Sequence, residues 1–208
     1  MALIRSKKNT KTHDKITSAT IITSCMEVTG NLHGSDTVHI DGKVVGDIIV
    51  SNTLVIGKSG MVQGEVKAKN AIINGKLEGS IICETLEVME TGEISKQIQA
   101  DTMILDGTVT GHVIGLKSIE IQSNAKLTVE KLESKKITVS GSVKGNIVAS
   151  ELLEINSTGS IEGEISVKNI KTAEGSRMVG TMSTYETKQE EKTEVKQKEK
   201  QEEKAQIA

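Results

Sequence analysis

The side chains able to do chemistry are few and scattered. Histidine occurs at His13, His33, His39 and His112, and cysteine at Cys25 and Cys83. A zinc site draws on ligands a few residues apart, commonly paired as CxxC or as histidines three to five residues apart. No two histidines here have such spacing, and the cysteines form no CxxC. Both are read as reduced, buried thiols, the usual fate of a free cysteine. Asp41, Asn74 and Asp106 each precede a glycine, which raises calcium. The calcium-binding nonapeptide needs Gly-Gly-x-Gly-x-Asp, and that pattern is absent. These three are read as turn formers, and His112 as a solvated strand residue. No Ser/His/Asp set or carboxylate pair stands out, so no catalytic residue, metal ligand or cofactor site is predicted.

The elements that would position such groups are themselves unusual. There is no Phe, Trp or Pro, and the one Tyr is Tyr185. Aromatic rings supply much of an ordinary core. Here the core must come from Val, Ile, Leu, Met and Ala at 36% hydrophobic content, which favours a narrow, regular interior. A net charge of −2 excludes a histone-like polyanion binder. The missing aromatics remove the stacking platforms of single-strand binders, and no nucleic acid partner is expected. No apolar run approaches the roughly 18 residues of a membrane span, and the N-terminus is too short in apolar residues for a secretory signal. A cytoplasmic protein is expected.

The organising signal is a repeat. All 19 glycines lie between Gly30 and Gly180. The unit Gly-x-apolar-x-Gly-polar-apolar appears as Gly42-Lys43-Val44-Val45-Gly46-Asp47-Ile48, and again from Gly60, Gly75, Gly107, Gly141 and Gly159. Degenerate copies begin at Gly30, Gly92 and Ala125, with Lys96 and Val129 replacing the second glycine of the last two. From Gly42 to Gly175 the unit starts are 15 to 18 residues apart, with short and long connections alternating. Short ones end in dipeptides such as Asp41-Gly42 and Asn74-Gly75; long ones carry about two more residues, as in Lys58-Ser59-Gly60. Inside each unit the apolar period is two: Val44, Gly46, Ile48 and Val50, then Leu54 and Ile56. That is the pattern of strands with one face buried. The prediction is an all-β, single-domain parallel β-helix (a β-solenoid) of triangular cross-section with rungs of about 16–17 residues. The second glycine falls on the inward phase, at a corner where φ is unusual or a side chain does not fit. Stacking at strand spacing gives a rod roughly 45–50 Å long. Residues 20–182 form this domain. Residues 1–19, rich in Lys and Arg, and the Lys/Glu/Gln-rich residues 183–208 are expected to be disordered tails.

This ordered set of rungs resembles the bactofilins. Thr20-Ile21-Ile22, followed by Val28-Thr29-Gly30-Asn31-Leu32-His33-Gly34, looks like the opening of their domain, and Ile40 to Ile48 is the closest match. The resemblance implies a bacterial cytoskeletal protein that polymerises without nucleotide and supports envelope processes such as cell shape. Cell-wall enzymes or other envelope proteins are the partners it implies. The family commonly carries a Phe in its last rung; here Met178 stands in that position, within Gly175-Ser176-Arg177-Met178-Val179-Gly180.

Two readings from other classes share the architecture: a β-solenoid enzyme of acyltransferase or lyase type, and a passive β-helical surface protein. The first lacks a loop long enough to wall a site and the acyltransferase hexapeptide; the missing signal sequence disfavours the second. A solenoid normally needs caps over its end rungs, and no amphipathic capping helix is apparent in either tail. The candidate self-assembly residues are therefore Ile21, Ile22, Met26 and Val28 at one end and Met178 and Met182 at the other. Met1, Leu3 and Ile4, with Arg5, Lys7 and Lys8, are the candidate contacts to an anionic inner-membrane surface, where each cation is worth about 1 kcal/mol. A homopolymer peripheral on that membrane is expected, multivalency making weak single contacts strong.

Overall fold

The alternation of β-branched and polar residues produces strands, and the glycine-bearing corners turn them. In the computed structural model, which describes residues 19–185, the chain winds as a parallel β-solenoid of about ten coils with no helix among the described residues. The first coil consists of Ala19–Ile22, Glu27–Thr29 and Leu32–Gly34, one strand on each of three faces. Later coils repeat this order, and strands inside the rod pair in parallel with their equivalents in the coils above and below. Between Glu93 and Ile155, two of the three corners in each coil bend without breaking the strand, giving continuous runs Glu93–Leu105, Thr108–Ile121, Lys126–Val139 and Ser142–Ile155. The last coil comprises Ile170–Thr172 and Arg177–Thr184.

The predicted inward residues are the core. Val44, Ile48, Leu54 and Ile56 are fully buried, as are Val143, Ile147 and Leu153. Register stacks them in columns: Val44 on Val62, Val62 on Leu77, and Leu77 on Ile94. Like residues meet at strand separation, about 4.8 Å, so the interior is a ladder of aliphatic contacts without aromatic rings. A fully buried Val, Leu or Ile contributes about 1.5–3 kcal/mol, and neighbouring coils supply much of that burial.

The second glycine of the unit does what its phase requires. Gly46 and Gly64 have φ of +145° and +153°, and a Cβ on Gly64 would strike the Gly46 carbonyl oxygen in the coil beneath. The two replacements solve the corner differently. Lys96 adopts the positive φ itself, at 98°. Val129 does not; the register shifts beside it, so that Gly111 pairs with Val129 but His112 with Lys131. One extra residue, Glu130, re-aims the corner as a bulge would.

The alternating connections are corners of two sizes. Long corners close with a turn hydrogen bond, as where the Met26 N–H donates to the Thr23 carbonyl and the Gly60 N–H to that of Gly57. The Asp/Asn-Gly positions sit in the short corners. Asn74 accepts from the Thr91 hydroxyl of the next coil, and Asp41 lies 3.0 Å from His39 Nε2. Among the described residues, no three His, Cys, Asp or Glu side chains come together as metal ligands.

One expectation is corrected. Cys83 is buried, but Cys25 is exposed. Cys25 sits in the first long corner, outside the alternating strand, in the first coil among the described residues; its Sγ is 3.4 Å from the Thr23 hydroxyl. Cys83 lies inward, and its thiol is pushed up to about 12 by burial, with the Asp101 charge adding to the shift.

Candidate assembly surfaces at the rod ends

A strand inside the rod has two neighbours; a strand in an end coil has one. Ala19–Ile22 pairs only with Thr37–Ile40, Glu27–Thr29 only with Lys43–Val45, and Leu32–Gly34 only with Ile48–Ile56. At the other end, Arg177–Thr184 pairs only with Ser160–Val167, and Ile170–Thr172 only with Ser142–Ile155. Among the described residues nothing covers these edges. Their outward N–H and C=O groups are a template for another strand. Natural edges are commonly blunted with proline or helices. This chain has no proline, and no helix lies among the described residues.

The candidate residues take distinct places on these ends. Ile22 points inward, registers with Ile40 and is 5% exposed. Ile21 points outward beside His39 and is 62% exposed, so it lies on the rod's side rather than its axial end. Met26 closes the first corner and is exposed; Val28, in register with Val44, is half-buried against the core. Met178 continues the column of Ile161, and Met182 that of Ile165, by direct register. Ile161 and Ile165 are buried, whereas Met178 and Met182 are 40% and 54% exposed. Among the described residues, no coil lies above these thioethers. Met1, Leu3, Ile4, Arg5, Lys7 and Lys8 lie outside the described residues.

The electrostatics of the ends are mild. Lys43 Nζ is 2.8 Å from Glu27 near the first coil, and Lys144 Nζ is 2.9 Å from Glu162 near the last. The Lys144 hydrogen bond and charge hold the Glu162 carboxyl below its ordinary range, with Arg177 adding a weaker pull. Among the described residues, neither end carries a block of like charge that would repel a second rod.

Sequence reasoning passed over one set of side chains. From the second coil to the eighth, the outward position on the third face is aliphatic in every second coil: Ile49, Ile82, Ile114 and Val148. Ile49 and Ile82 are 42% and 41% exposed. The signal was the residue after the inward Ile or Val that closes each unit, read across units rather than within one.

A rod of stacked parallel coils, with the strands of its end coils paired on one side only among the described residues, defines the class as a parallel β-solenoid. Comparison with known proteins narrows the class. The family model "Bactofilin: Polymer-forming cytoskeletal" matches residues 20–105, 73–130 and 100–183, which together span the solenoid. The chain belongs to the bactofilins. It is 34% identical over 62 residues to Bactofilin BacP of Myxococcus xanthus (strain DK1622), a match covering 30% of this chain and 26% of that protein. The match thus spans about a quarter of that relative's length. No solved structure matches the chain significantly.

Proposed function

We propose that the chain polymerises without nucleotide by stacking rods end to end through their terminal coils, and that the polymer lies on the cytoplasmic face of the inner membrane as a scaffold for cell shape or envelope organisation. One observation carries the stacking: Met178 and Met182 extend buried columns yet stand half-exposed on an unpaired edge. A second rod would give this coil the neighbour that every interior coil has. It would cover apolar surface worth roughly 25 cal/mol per Å² and satisfy a row of backbone groups at once.

The test is Met178→Arg. A charge placed in that contact loses its water without gaining a partner, a cost of several kcal/mol, while the interior coils are untouched. The variant should remain folded, with the same β-rich circular dichroism, and should give monomers or small oligomers in light scattering and negative-stain microscopy. Filaments of normal length from Met178→Arg would remove this coil from the interface. Met178→Phe, by contrast, should preserve or strengthen assembly.

The membrane contact is assigned to Met1, Leu3 and Ile4 inserting between headgroups, with Arg5, Lys7 and Lys8 facing anionic lipid. Deleting residues 1–8 should release polymers from anionic liposomes in co-sedimentation while leaving filaments intact. Undiminished co-sedimentation would place the attachment elsewhere.

A further inference from the structure

The third face carries a pattern that end-to-end stacking does not use. Its outward column reads, by register from the second coil to the eighth, Ile49, Lys67, Ile82, Gln99, Ile114, Glu133, Val148. Aliphatic residues alternate with polar ones, so the aliphatic positions recur about every 10 Å along the rod. The order is also symmetric about Gln99 in the fifth coil. Ile82 and Ile114 flank it, Ile49 and Val148 lie three coils out, and between them stand Lys67 on one side and Glu133 on the other.

The charges are arranged in reversed pairs. In the third coil Lys67 Nζ is 2.9 Å from Glu65, and in the seventh Lys131 Nζ is 2.7 Å from Glu133. The outward position is basic and its corner neighbour acidic in one coil; in the other the signs are exchanged.

We infer that this face pairs with the same face of a second copy of the chain, the two rods running antiparallel about a twofold axis through Gln99. Two sheets facing each other about such an axis, lying along the strands, place the third coil of one against the seventh of the other. Lys67 then opposes the partner copy's Glu133, and Glu65 opposes its Lys131. Symmetry repeats the quartet on the far side of the axis. Ile82 meets Ile114 between the quartets, and Ile49 meets Val148 outside them. An isologous contact of this kind must be self-complementary, and this column is. In-register parallel rods would instead set Lys67 against Lys67 and Glu133 against Glu133, like charges that suppress the wrong arrangement. One rim opposes the pairing: Lys69 would face Lys135, both exposed, where salt screens the repulsion. The central column therefore decides the direction. The inference goes beyond the proposed stacking, because it adds a lateral contact that joins rods or filaments in opposite directions. Rods linked end to end would present it many times, so a weak contact becomes a firm one.

Cross-linking tests the direction and the charges together. All variants carry Cys25→Ser, leaving Cys83 buried, and each is checked for an unchanged circular dichroism spectrum. Ile82→Cys and Ile114→Cys chains are mixed and treated with a bifunctional maleimide of about 10 Å reach, the distance between packed sheets. The mixture should cross-link and neither chain should do so alone. Lys67→Glu or Glu133→Lys, added to both chains, should cut the yield roughly tenfold, and the two together should restore it, because charge complementarity is regained. Only lateral contacts are counted, so the result does not depend on end-to-end stacking. Cross-linking of Ile82→Cys with itself would mean parallel pairing and overturn the inference, as would no cross-linking in any mixture. Cross-linking that appears only after removal of residues 186–208 would assign the face to that segment and overturn it equally.

Discussion

The ninth and tenth coils share one motif and meet different fates. In the ninth, Ile161 and Ile165 are buried; in the tenth, Met178 and Met182 hold the same positions of the unit, in direct register, and are half-exposed. The first coil falls between them, with Ile22 buried but Met26 exposed. A coil's burial is thus supplied by its neighbours rather than by its own residues, as expected when stability is a sum of nearest-neighbour terms. The open coils are also chemically distinct. The C-terminal one presents the long, flexible thioethers of Met178 and Met182, side chains that adapt to a partner surface, where the ninth coil has the β-branched Ile161 and Ile165.

The largest effect should separate interior from end by truncation. Ile161→Ala removes a fully packed side chain and should cost about 2–5 kcal/mol in denaturant unfolding of the unassembled protein. Met178→Ala, with one neighbour only, should cost no more than about half of that range's lower value. Equal losses would mean that the last coil is already covered in the monomer, and the contrast between the coils would fail.

A second test uses the two thiols. At pH 8 a thiol with a pKa of about 12 is thiolate to only about one part in ten thousand, and thiolate is the reactive form. Alkylation should therefore label Cys25 and spare Cys83 until the rod unfolds. Comparable labelling of both in the native protein would show that the solenoid opens near the fourth coil. Labelling of Cys25 also reports on the first coil: it should slow on polymerisation if that end is in the contact, and an unchanged rate would confine the contact to the C-terminal end.

The smallest effect is electrostatic. Glu162 is held below its ordinary carboxyl range chiefly by the Lys144 hydrogen bond and charge. A carboxyl depressed in the fold stabilises it at pH values above the unfolded pKa, and that contribution disappears as the pH falls through the folded one. Lys144→Ala should lower the melting temperature slightly at pH 7 and leave it unchanged at pH 2. The exposed setting keeps the change small, and an equal drop at both pH values would mean that Lys144 acts through packing.

Much of this molecule was legible in one dimension. Glycines at 15 to 18 residues and an apolar period of two marked the coil, the inward columns from Val44 to Ile155, and Met178 as the inward residue of the last unit. These follow because alternation within a strand is a local property: successive side chains must take opposite faces. Local pattern failed where the chain leaves the strand. Cys25 was expected inside, and its corner places it outside. At Lys96 and Val129 the same lost glycine led to two backbones, a positive φ in one and a shifted register in the other. The corners add or omit residues, so counting along the chain does not say which residues of distant coils share a column; interstrand hydrogen bonds do. That is why Ile21 proved to face sideways and Ile22 inward. It is also why the reversed pairs Glu65–Lys67 and Lys131–Glu133 became a matched set only in the folded rod, where register aligns coils more than sixty residues apart in sequence.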